Sequence, residues 1–340
     1  MALLLVGVFP AHANIRRIQI TQKESPTFGG YSWPGVGQYE KIVGKAFGEI
    51  DPDDPKNAVI VDLKLAPKNV RGKVEYAFDF YILKPIDLSK GNHKMVYEPP
   101  NRGSKTIAAI NRGVGGNDPG SIKDAAALAN SFLMPQGYSI SFSGWDLAAG
   151  SSTANFNTTI TLPIARNADG STITGPSYEY IVNARGAYTL SYPAATLDQA
   201  KATLTHRVQL NDAPNVVPAS GWQYGPDGKS IRLLPAGTPF VPNDIYEFSY
   251  IAKDPTVNGV GFAAVRDWNA WLRCEARDEA GTANPLVGDI TRIYTAWRIP
   301  GSVTCGIGMD KRPSCSRAAR TNWVRFNRRE HRSPSTGKCP

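Results

Sequence analysis

Cysteine and histidine are scarce in this chain of 340 residues, with four of each. Only Cys274 precedes residue 297, so no disulfide can join parts of the body. Cys305, Cys315 and Cys339 lack C-x-x-C spacing, and His331 alone does not complete a metal site. No G-x-S-x-G stands anywhere in the chain, so the usual mark of a serine nucleophile on a strand-to-helix turn is missing. No apolar run is long enough to span a membrane. A basic body is missing too. The net charge is +9, but residues 297–340 hold ten of the 38 Lys and Arg and only two of the 29 Asp and Glu. Residues 1–296 therefore carry 28 basic and 27 acidic side chains, a charge of +1. The basic stretch is rich in Pro and Ser and has little hydrophobic period, which argues against nucleic acid as a partner.

What is present suits a globular protein. Hydrophobic residues make up 41% and charged residues 20%, enough for an ordinary core. Residues 2–9 form a short apolar run, and Ala11-His12-Ala13 fits the small-x-small rule for signal cleavage. Residues 1–13 are thus expected to be a signal peptide, without the usual charged start, and the protein periplasmic or extracellular. A buried first strand is the other reading of that run.

Strand-like stretches are expected at 57–66, 73–83, 94–98 and 138–143. Residues 121–134 look helical, with Ser121 as N-cap and Asp124 three residues later. Residues 150–242 are rich in Thr, Ser, Asn, Pro and Gly with short strand-like pieces, and read as a β-rich insertion. Regular pattern returns with a strand at 244–252, an amphipathic helix at 259–276 and a strand at 289–296. In the helix Phe262, Val265, Trp268 (or Asn269) and Leu272 fall at helical spacing. Strands alternating with helices predict an α/β sheet with parallel members.

Several pieces together resemble a family of mostly bacterial proteins, the α/β-hydrolase-domain proteins. They are Phe28-Gly29-Gly30, Gly35-Val36-Gly37-Gln38-Tyr39-Glu40 and Gly44-Lys45-Ala46-Phe47-Gly48-Glu49-Ile50-Asp51-Pro52. Then come Tyr97 to Asn101-Arg102-Gly103, Gln136-Gly137-Tyr138 to Gly144-Trp145, Tyr250-Ile251-Ala252-Lys253-Asp254-Pro255 and Gly259-Val260-Gly261-Phe262-Ala263-Ala264-Val265-Arg266-Asp267. The resemblance covers about residues 15–296. It implies a partial α/β-hydrolase sheet, with 14–149 and 243–296 as hydrolase domain and 150–242 inserted, while 297–340, with little amphipathic pattern to offset its ordering entropy, is expected to be a disordered tail. It also implies esterase-like hydrolysis of a small-molecule ester by a serine nucleophile, with no cofactor. The family continues with G-x-S-Q-S-G-R, whereas this chain reads Trp297-Arg298-Ile299-Pro300-Gly301-Ser302. A frame slip near residue 296 would explain the switch. The chain is then expected to be truncated before its nucleophile and inactive, and a non-catalytic envelope binding protein is the alternative.

Five residues are the candidates for an oxyanion or ligand site. Asn101, Arg102 and Gly103 follow the strand whose loop donates a backbone N–H to the oxyanion in that fold. Trp145 and Asp146 end the next strand at the edge where α/β sheets collect ligands. No catalytic residue is assigned. His93 and His206 read as ordinary polar residues and Ser143 as a strand-end residue. Gly259-Val260-Gly261-x-x-Ala264 imitates a dinucleotide fingerprint, but no strand leads directly into it, so it reads as the start of a packed helix. Asp51-Pro52-Asp53-Asp54-Pro55 lacks the spaced oxygens of a calcium loop and reads as a surface turn.

Overall fold

The computed structural model describes residues 14–286, 288–297 and 305–308. The expected signal peptide and most of the expected disordered tail lie outside the described residues. The chain divides into two compact units. One comprises Met1–Val61, Lys68–Leu162 and Asn258–Pro340; the other comprises Asp62–Pro67 and Pro163–Val257.

The first unit is built on a nine-stranded sheet. Its main path runs Ile15–Glu24, Gly37–Ile50, Val74–Pro85, Ser139–Ser143, Lys94–Glu98, Arg292–Trp297, Cys305–Gly308. Ser32–Trp33 and Ile160–Thr161 pair on its side. Only Lys94–Glu98 has parallel neighbours, Ser139–Ser143 and Arg292–Trp297. Every other pairing in this sheet is antiparallel. This overturns the expected α/β-hydrolase sheet: the fold is β-rich, with two α-helices among the described residues, Ala125–Asn130 and Gly259–Cys274. Within the stretch expected to lack structure, Cys305–Gly308 forms a strand at the sheet edge.

The missing helical content has local causes. Residues 121–134 hold only one short helix, capped by Asp124, whose Oδ1 accepts from Ala126 N–H at 3.0 Å. The buried Asn111 side chain ends that helix. Its Oδ1 accepts from Phe132 N–H at 3.1 Å and Leu133 N–H at 2.8 Å, the donors that would have extended the helical ladder. Beyond that helix Met134–Gln136, with Pro135 near its start, makes only a short 3₁₀ turn. The stretch 57–66, expected as a strand, is turns and short 3₁₀ pieces. Val59 and Val61 there are exposed, so no buried face rewards pairing.

The central hairpin carries the sheet. Gly37–Ile50 pairs with Val74–Pro85 over twelve positions, from Tyr39 opposite Pro85 to Ile50 opposite Val74. Gly44 lies opposite Phe80 and Gly48 opposite Tyr76, and each ring covers its glycine so closely that a methyl would overlap it. Tyr76 cannot swing aside, because its hydroxyl donates to Asp267 Oδ2 at 3.1 Å. Gly48→Ala is therefore expected to lower stability by about 1–3 kcal/mol. An unchanged urea-unfolding midpoint would show that the ring is free to move.

The two faces of this sheet are covered differently. On one, Trp268 of the long helix stacks on Phe80, ring centroids 4.8 Å apart, and lies edge-on to Phe78 at 5.6 Å. A second core gathers Trp33, Tyr39, Tyr81, Phe142, Leu128 and Met134 from strands and irregular loops. Loops rather than crossover helices thus supply part of the cover.

The second unit contains a four-stranded antiparallel sheet in the order Asn215–Val217, Thr203–Arg207, Ile245–Lys253, Thr174–Ile181. A three-stranded sheet adds Trp222–Tyr224, Ser230–Leu233 and Tyr188–Thr189. Trp222, Tyr224 and Phe248 pack edge-to-face, with centroids 5.1–5.8 Å apart, and join the two sheets in one core. Ile245–Lys253 was expected in the central sheet, yet it pairs only with strands of this unit.

Candidate functional site

The three parallel strands end on one edge of the first unit's sheet, and the loops leaving two of them meet there. Trp145 donates its indole N–H to the carbonyl of Pro100 at 2.9 Å. Asp146 accepts from the backbone N–H of Arg102 at 3.1 Å through Oδ2 and from Ala148 N–H at 2.8 Å through Oδ1. Asn101 closes a tight turn by accepting from Ser104 N–H at 3.1 Å. The five candidates Asn101, Arg102, Gly103, Trp145 and Asp146 are thus brought together.

Their roles differ from the expectation in detail. The Arg102 N–H, a possible oxyanion donor, is already committed to Asp146. Arg102 and Gly103 both adopt positive φ, 50° and 78°, a region that favours glycine. A side chain at Gly103 would overlap the amide of Asn157, and the Gly103 carbonyl accepts from Thr158 N–H at 3.0 Å. Gly103 therefore packs against protein instead of opening the backbone to a ligand. Gly261 lies so close to the Trp145 carbonyl that a methyl would overlap it. The paired glycines of 259–264 thus serve helix packing. Phe262, expected on the buried stripe, is instead exposed and rests against Trp145 with centroids 5.5 Å apart.

Two residues at this edge escaped the sequence reading. Glu98 is 2% exposed. Its Oε1 accepts from Thr106 N–H and from the Thr106 hydroxyl at 2.7 Å, while its Oε2 has no hydrogen-bond partner among the described residues. Burial holds this carboxyl above the usual range for Glu. Lys105 is 5% exposed and donates to the carbonyls of Asn117, at 2.9 Å, and Phe156. Its ammonium stands 4.7 Å from the centre of the Tyr81 ring and 5.5 Å from that of Phe142. Burial pulls it down to about 8. One signal was available: Met95-Val96-Tyr97-Glu98 belongs to a strand buried on both faces, where an acidic residue is out of place.

Hydroxyls and imidazoles are not joined here. The buried Ser143 Oγ lies 2.8 Å from Tyr97 Oη, and Ser141 Oγ accepts from the Trp268 indole at 3.1 Å. His93 Nδ1 lies 2.7 Å from Asp289 Oδ1, next to the start of the Lys94–Glu98 strand and at the opposite end from the candidate loops. His206 Nε2 lies 2.7 Å from Asp244 Oδ2 in the other unit. Among the described residues no three His, Cys, Asp or Glu side chains are grouped to hold a metal ion. In the 51–55 turn, Asp51 pairs with Lys73 at 2.5 Å and Asp54 accepts from Lys56 N–H at 2.9 Å. No helix among the described residues is long and apolar enough to cross a membrane.

No family model matches this chain, and neither curated proteins nor solved structures include a match to it.

Proposed function

We propose that this chain is a ligand-binding protein of the periplasm or the extracellular space, taking a small ester-like molecule at the loops around Arg102 and Trp145. The observation that carries this reading is the state of the loop edge. Trp145 and Asp146 pin the 100–103 loop in place, and the Trp145 and Phe262 rings offer an apolar platform beside it. Acyl transfer needs a hydroxyl, an oriented base and free oxyanion donors in one place. The buried Ser141 and Ser143 hydroxyls here are engaged in the core, and of the imidazoles among the described residues His93 lies at the opposite end of the strand and His206 belongs to the second unit.

Serine ester hydrolysis has one observation in its favour. The carboxylates beside His93 and His206 fix ring orientation in the way a catalytic histidine requires. p-Nitrophenyl butyrate separates the two readings, because it serves as both ligand and substrate. Binding without turnover is expected: the ester quenches tryptophan fluorescence, Trp145→Phe removes most of the quench, and p-nitrophenol appears no faster than in buffer. Release well above that background, abolished by His93→Ala, would establish hydrolysis instead.

A further inference from the structure

The four-stranded sheet of the second unit buries one face and leaves the other open. Inward go Leu204, Tyr246, Phe248, Tyr250 and Ile181, all buried in the aromatic core. Outward, the register sets side chains in rows. Thr203, Ser249 and Tyr178 form one row, and Thr205, Glu247 and Tyr180 the next. Tyr178 and Tyr180 are 54% and 51% exposed. They alternate along one strand, so they stand on the same face with their Cα atoms about 7 Å apart. Beside them lies an open hollow of about 370 Å³, lined by Pro176, Tyr178, Lys201, Thr203, Ser249 and Ile251.

The chemistry of this face selects its occupant. Two exposed phenol rings are rigid, amphipathic platforms that lose little side-chain entropy on binding. Their electron-rich faces attract polarised C–H groups. Hydroxyls and an ammonium surround them. Glu247 is neutralised by Arg207 at 2.9 Å and also accepts from the Tyr178 hydroxyl, so little net charge is left to call for a polyanion. A pyranose has the matching features, with an apolar C–H face and a rim of hydroxyls that both donate and accept. Addition of a strand from another copy alongside the two tyrosines is poorly served, because Pro176 lies within their edge strand, Thr174–Ile181, and has no N–H to offer.

We propose that the outer face of this sheet binds a neutral glycan, with sugar rings stacked over Tyr178 and Tyr180 and their hydroxyls bonded to Thr203, Ser249, Lys201 and Glu247. This face belongs to the second unit, and Trp145 to the first. The test uses the whole chain with cellohexaose, xylohexaose, chitohexaose and maltohexaose, followed by titration calorimetry and affinity electrophoresis. At least one hexasaccharide should bind with a Kd of millimolar or tighter. Tyr178→Ala and Tyr180→Ala should each weaken it on the order of tenfold, as expected for loss of one stacking ring. Tyr178→Phe keeps the ring and should keep most of the affinity, which guards against a variant that merely misfolds. Trp145→Phe should leave glycan binding unchanged. The proposal is overturned if none of the four sugars binds, or if the double alanine variant binds as well as the parent. It is equally overturned if the tyrosine variants alter only self-association in sedimentation, which would assign the face to a second copy of the chain.

Discussion

Trp268→Ala should destabilise the first unit by about 3–5 kcal/mol, as expected for removing a fully buried tryptophan. The side chain is central to the contact between helix and sheet. It stacks on Phe80 at 4.8 Å and on Trp271 at 5.6 Å, and it lies edge-on to Phe78 at 5.6 Å. Its indole N–H is also the donor to Ser141 Oγ, at 3.1 Å. Alanine leaves a cavity and takes the donor away from a buried hydroxyl, and the two effects add. Trp268→Phe keeps much of the volume and should cost less. Urea unfolding followed by circular dichroism reads both variants. A loss below about 0.5 kcal/mol for alanine, within the range of an ordinary surface change, would mean that the helix does not rest on the sheet through this residue.

Lys105 should make stability rise with pH on the alkaline side. Burial lowers it from the ordinary 10.5 to about 8 in the folded chain. Between those values the unfolded chain holds a proton that the folded chain has released, so raising the pH favours folding. Over the whole window the gain is roughly 3 kcal/mol, taking about 1.4 kcal/mol per pH unit. Buried tyrosines act the other way. Tyr39, Tyr81 and Tyr97 are pushed up by burial, so their contribution is lost as the pH climbs beyond the ordinary tyrosine value. The clean measurement is therefore the difference between the parent and Lys105→Met across pH 7–10. The parent should gain on the variant as the pH rises. A constant difference would show that Lys105 titrates normally and is hydrated. Glu98 has the opposite sign. Its raised folded value means that its contribution is complete below the ordinary Glu range and is lost as the pH rises through the raised value.

Parts of the structure were legible residue by residue. The strands Val74–Pro85, Lys94–Glu98 and Ser139–Ser143 and the helix Gly259–Cys274 lie close to where periodicity put them. These signals are local, since alternation or a 3.6-residue stripe marks a face that must be buried. The loops carrying Asn101, Arg102, Gly103, Trp145 and Asp146 could be grouped because both follow strands on the same side of a sheet. Glu98 and Lys105 were harder to find, since their chemistry comes from burial that no short motif records. The expected α/β class failed for a related reason. Reading 121–134 as a helix from its Ser121 and Asp124 cap could not anticipate that Asn111 would take the backbone donors of Phe132 and Leu133.

The amino-acid sequence by itself determined that Val74–Pro85, Lys94–Glu98 and Ser139–Ser143 are extended, where the long helix lies, and that the net positive charge sits almost wholly after residue 296. It did so because propensity, apolar period and charge are properties of neighbouring residues. Only the tertiary structure decided that Ile245–Lys253 joins the second unit's sheet and not the first, and that Tyr178 and Tyr180 face outward while Tyr246 and Tyr250 face inward. Strand pairing is chosen between distant segments, and a period of two says that one face is buried without saying against what.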